Sequence, residues 1–96
     1  MKKYILDFSI INNEEKLYNF LELKFHLKNY LQGDWGRNLA AFKDLYEYAD
    51  DEISLELSNI FEIKDEKYRL FILEEFLWVL TKIQTNNSNF SYILKS

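Results

Sequence analysis

The chain has 96 residues, 48% of them hydrophobic and 18% aromatic, with no cysteine, no proline and a net charge of -4. That length fits one domain, 1–96, whose core holds without disulfides, and the composition excludes a disordered chain, a thiolate metal site and a cysteine nucleophile. The acidic balance argues against a domain that grips the phosphate backbone of nucleic acid, and the absence of cysteine fits the reducing cytoplasm. Along the chain, Met1-Lys2-Lys3 is charged at once and does not read as a secretory signal. Tyr4 to Phe8 is a short β-prone run, and Asn12-Asn13-Glu14-Glu15-Lys16 offers a helix start with asparagine caps and acids at the positive end of the dipole. Leu17, Phe20, Leu21 and Leu27 continue at helical spacing, with Lys24 the one charged residue on the stripe.

Gly33 and Gly36, the only glycines, bracket Asp34 and Trp35 and mark the main loop. From Asn38 a second helix follows, with Leu39, Phe42, Leu45 or Tyr46, and Ala49 on its apolar face, while Lys43, Asp44, Glu47, Tyr48 and Asp51 lie elsewhere on the cylinder. Ile53-Ser54-Leu55-Glu56-Leu57-Ser58 alternates with the period of a half-buried strand. A third helix starts near Asp65-Glu66 and is apolar around most of its circumference, so it is expected to be largely buried. Its most apolar stretch, Tyr68 to Ile83, is broken by Arg69, Glu74, Glu75 and Lys82 and is shorter than the roughly 20 residues of a membrane span. Asn86 to Asn89 is a polar turn, and Phe90 to Leu94 a last strand. The order β-α-α-β-α-β predicts an α/β fold: a small three-stranded parallel sheet covered by three main helices.

Residues 34–52 hold six acids (Asp34, Asp44, Glu47, Asp50, Asp51, Glu52) against Arg37 and Lys43, and acids and bases balance elsewhere. The whole net charge therefore sits on the glycine loop and second helix, as a solvated acidic face or as a field that steers a basic partner. Trp35 either closes the core under the loop or, with Tyr46 and Tyr48, anchors an interface. Trp78, near Phe71, Glu75 and Lys82 at helical spacing, is expected to serve the core first and a contact surface second.

Catalytic signatures are lacking. His26, the only histidine, stands four residues after Glu22, which makes at most two ligands, and it reads as an ordinary histidine near a helix C-terminus. Glu14-Glu15 and Glu74-Glu75 diverge on a helix, and there is no phosphate loop, metal cluster or nucleophile elbow. The sequence reads as a binding protein rather than an enzyme, with no cofactor and no metal, no direct contact with nucleic acid or membrane, and a monomeric state favoured.

Gly33-Asp34-Trp35-Gly36-Arg37-Asn38-Leu39-Ala40-Ala41-Phe42-Lys43-Asp44-Leu45 resembles the signature of the barstar family, in which an aromatic-Gly-x-Asn-Leu-x-Ala pattern with a following aspartate opens the second helix. The resemblance implies a parallel three-stranded sheet with helices in this order and a cytoplasmic inhibitor of an extracellular-type ribonuclease. It implies that Gly36 and Asn38 approach a nuclease active site and that Asp44 replaces a substrate phosphate, a role suited to a carboxylate facing arginine. Asp34, Ala40 and Lys43 stand where the family has an interface tyrosine, aspartate and tryptophan, and Lys82 where it has a third-helix glutamate. The expected partner is accordingly a basic ribonuclease or nuclease toxin, met by Asp34, Trp35, Gly36, Asn38, Asp44, Glu47 and Tyr48; the alternative is a non-inhibitory adaptor on the same kind of fold.

Overall fold

Three parallel strands, β1 (Lys2–Asp7), β2 (Ile53–Ser58) and β3 (Phe90–Lys95), pair in the order β1-β2-β3 in the computed structural model, which describes residues 1–25 and 38–95. The alternation of β2 decides which way the sheet faces: Ile53, Leu55 and Leu57 are buried, and Ser54, Glu56 and Ser58 lie on the opposite side. On that opposite side the register lines up Ile5, Glu56 and Ile93. Glu56 is met there by Lys3 Nζ at 3.7 Å and Lys95 Nζ at 3.4 Å, one from each neighbouring strand. Parallel sheets are usually covered on both faces; this cross-strand ion triad makes the second face compatible with water. β1 begins two residues earlier than its β-prone run, and Phe8 follows it fully buried, its N–H bonded to Ser58 O at 2.9 Å.

Helix α1 (Glu14–Phe25) is capped by Asn13, whose Oδ1 accepts the Lys16 N–H at 2.8 Å. It buries Leu17, Leu21 and Phe25, four residues apart, while Phe20 is half-buried; Leu27 lies outside the described residues. Helix α2 (Leu39–Glu47) is capped by Asn38, whose Oδ1 accepts the Ala40 N–H at 2.8 Å, and it buries Leu39, Phe42 and Tyr46. Tyr46 rather than Leu45 occupies the core position, because its hydroxyl reaches Phe25 O at 3.2 Å and so satisfies its polar end. Phe25 meets Tyr4, Phe42 and Tyr46 with ring centroids 4.7, 5.4 and 5.1 Å away, a cluster that joins the sheet to both helices.

After β2 the chain turns through Asn59, which adopts φ 63°, and a short 3-10 turn (Ile60–Glu62). Asn59 Nδ2 donates to Asp7 Oδ1 at 2.8 Å, tying the ends of β1 and β2. That bond, with those from Ser9, holds the Asp7 carboxyl below its ordinary value of 3.8. Helix α3 (Glu66–Phe71), capped by Asp65, runs through a π-helical turn (Ile72–Phe76) into α4 (Leu77–Asn86). In the π turn the Leu77 N–H reaches back five residues to Ile72 O. Tyr68, Ile72, Phe76 and Leu80 are all buried at a spacing of four, a row that an ideal α-helix would rotate away from the core by about 40° per step. The wider turn offsets that drift. The third helical region is less buried than its sequence implies: Leu70 is 43% exposed and Trp78 53%, so the core assignment of Trp78 is corrected. Trp78 falls between Phe76 and Leu80 in sequence and therefore on the far side of the helix from them.

Asn87 is the one buried polar residue among those described. Its Nδ2 donates to Tyr46 O and Ala49 O at 2.8 and 2.9 Å, satisfying carbonyls where α2 ends. Its Oδ1 accepts the Asn89 N–H at 2.9 Å, its own N–H ends α4 on Ile83 O, and its carbonyl receives the Phe90 N–H that starts β3. Asn87→Ala leaves two of these carbonyls without donors and is expected to lower stability by about 2–4 kcal/mol. Urea unfolding, read from the midpoint at unchanged slope, checks this.

Candidate functional site

The outer side of α2 presents Ala40, Asp44 and Tyr48 four residues apart, on one face. The Asp44 side chain is 76% exposed and lies 3.6 Å from Lys43 Nζ. Tyr48, at the C-cap of α2, is 83% exposed, and below it Leu45, Tyr46, Ala49, Asp50 and Asp51 border a hollow of about 340 Å³. Asn38 is exposed, with its side-chain oxygen engaged in capping. Asp34, Trp35 and Gly36 lie outside the described residues, as does His26.

Glu47 departs from the expectation that the acids of this helix face outward. Its side chain is 9% exposed, and its carboxylate accepts bonds from Lys43 Nζ and, at 2.8 Å, from Asn86 Nδ2 of α4. The Lys43 hydrogen bond, aided by Asn86, holds the Glu47 carboxyl below its ordinary value of 4.5 against the opposing effect of desolvation. Lys43 is in turn raised above 10.5, first by that bond. Glu47 is therefore a strut between α2 and α4, not a free acid for a partner. Among the described residues, Asp44, Asp50, Asp51 and Glu52 remain the exposed carboxylates of this end, with Asp51 3.6 Å from Lys2 Nζ.

Beside Asp44 the structure forms a feature that the sequence pattern does not announce. Leu39, Ala40 and Lys43 of α2 face Glu74, Glu75, Trp78 and Val79 across a groove of about 390 Å³. Its walls are apolar, with Lys43 contributing its stem. Lys82 Nζ lies 5.6 Å from the Trp78 ring centroid, a cation-π geometry that covers part of the indole. The small residue Ala40 across the groove from Trp78 was the available signal, but the π turn that sets the phase of Trp78 has no sequence signature.

A larger cleft, about 960 Å³, opens at the carboxyl ends of β1 and β2 between Phe8, Ser9, Asn12, the 61–65 segment and Arg69. Its polar groups largely serve the chain itself: Ser9 Oγ donates to Asp7 at 2.7 Å, Arg69 Nη1 to Ile63 O at 2.8 Å, and Lys16 Nζ to Asn12 Oδ1 at 3.0 Å. Among the described residues no three metal-ligating side chains converge, and no helix is long and apolar enough to cross a membrane. No protein-family model matches the chain, and no curated protein matches it.

The Glu47 contact has a pH signature. A carboxyl whose folded pKa is depressed contributes stability above its unfolded value, and that contribution is lost as pH falls through the folded one. Wild type is expected to lose stability below pH 4.5 more steeply than Glu47→Gln, which has no proton to gain there. Urea midpoints at about pH 6 and about pH 3 measure the difference.

Proposed function

We propose that this chain is an inhibitor, of the antitoxin or immunity-protein kind, that acts in the cytoplasm and blocks the active site of a basic ribonuclease or nuclease toxin. The observation that carries the reading is Asp44, an exposed carboxylate on the free side of α2, in a row with Ala40 and Tyr48. A nuclease that holds RNA phosphates with arginine and lysine would accept this carboxylate in their place. Asp50, Asp51 and Glu52 extend the negative field and favour encounter with a basic surface. The barstar-like motif around Asp44 supports the same reading, while Ala40 and Lys43 in place of family contact residues point to a different target within the nuclease class. No chemistry is assigned to the chain: it binds and occludes.

A non-inhibitory adaptor is the second reading, favoured by one observation: Lys43 lies between Asp44 and Glu47 and offsets part of the acidic charge. Calorimetric titration into a panel of basic ribonuclease domains, including a barnase-type enzyme, with RNA cleavage assayed in parallel, separates the two. Inhibition is expected, with an association rate that falls as salt rises and an affinity that Asp44→Lys weakens by about 100-fold or more. Absence of binding across the panel, or equal inhibition by Asp44→Lys, would sink the inhibitor reading.

A further inference from the structure

Resting on that inhibitor reading, we propose that the groove between α2 and the π turn seats one apolar side chain of the partner, flanked in the partner's own sequence by lysine or arginine. The apolar half of the proposal comes from the walls, Leu39, Ala40, Val79 and the half-exposed indole of Trp78. A large aromatic left half-exposed beside an apolar hollow and ringed by charge is the composition of an interface core inside a polar rim. The charged half comes from the rim. Glu74 and Glu75 line the groove from the π turn and are exposed, and the exposed carboxylate of Asp44 follows one residue after Lys43. Among the described residues around the groove, Asp44, Glu47, Glu74 and Glu75 stand against Lys43 and Lys82, so acids outnumber bases by two to one. These surroundings are net negative, and an apolar residue arriving between cations finds its neighbours compensated.

In the π turn Ile72 and Phe76 are both buried, while Glu74 and Glu75 between them are exposed and line the groove opposite Leu39, Ala40 and Lys43. Glu47, bonded to Asn86, and Asn87, bonded to the end of α2, hold the two walls at a set separation. The groove is thus preformed, and an entering side chain meets little reorganisation.

The test uses the full chain, isotopically labelled for NMR, titrated with a capped arginine-leucine-arginine peptide and, separately, with its glutamate-leucine-glutamate counterpart. Saturable shifts are expected at the amides of Ala40, Glu75 and Val79 and at the Trp78 indole N–H, with affinity at least about tenfold lower for the acidic peptide. Trp78→Ala should abolish the shifts at Ala40 and Val79 and Trp78→Phe should retain them in part, in spectra that otherwise match the wild type. Absence of saturable shifts at these positions, or equal affinity for the acidic peptide, would overturn the proposal. Groove binding of the basic peptide, with no ribonuclease of the panel bound, upholds the groove and removes the inhibitor reading. Conversely, a ribonuclease bound in an Asp44-dependent way, whose affinity changes less than about threefold in Trp78→Ala, removes the groove and leaves the inhibitor reading in place.

Discussion

The hydrogen bonds of the buried Asn87 side chain anchor the end of α2 to the rest of the fold. Its amide closes the end of α2, its carbonyl oxygen shapes the turn to Asn89, and its backbone ends α4 and starts β3. One residue thereby converts three chain ends into one junction. Buried amides are costly unless each group is bonded, and here the donor and acceptor of the side chain both find partners. The low exposure of Asn87, 8%, is thus the consequence of complete hydrogen bonding and not an exception to the burial of apolar groups.

The second control on α2 is electrostatic and lies closer to solvent. Glu47, Lys43 and Asn86 form a short chain of contacts from one helix to the other, next to the aromatic cluster of Phe25, Phe42 and Tyr46. The rings supply area and the cluster supplies fixed geometry, since edge-to-face contacts such as that of Phe25 with Phe42 constrain orientation as well as distance. Together they hold α2 so that Asp44 points away from the core while its neighbour Lys43 borders the groove. This division matters for recognition. A carboxylate held on a rigid helix presents its charge with little entropic loss, and an adjoining apolar groove can add area without moving it.

Much of the backbone was legible from local pattern. The alternation of Ile53 to Ser58 matches β2 residue for residue, because a strand in a half-covered sheet must alternate to satisfy both faces. Asn13, Asn38 and Asp65 each cap the helix that their chemistry announces, because a cap bonds only within its own first turn. The parallel three-stranded sheet follows from the same element order. The exposure of the candidate residues was legible in part. Asp44 and Tyr48 are exposed as their helical phase implies, whereas Glu47, which shares the same helix, turns to a partner 39 residues away in Asn86.

The distinction between the two kinds of knowledge is one of range. Periodicity, caps and charge distribution belong to segments of a few residues, and from these the sequence by itself determined the strands, the helix starts, the choice of buried stripe in α2 to within Leu45 or Tyr46, and the concentration of acids near Asp44. The tertiary structure alone decided that Tyr46 enters the core, that Glu47 braces α4, that Trp78 lies half-exposed, and that a groove opens beside it. Each of these depends on groups far apart in sequence meeting at a given distance: Tyr46 with Phe25 O, Glu47 with Asn86, and Trp78 with α2 across a π turn. The added residue of that turn shifts every later side chain around the helix, and only packing against the core selects it.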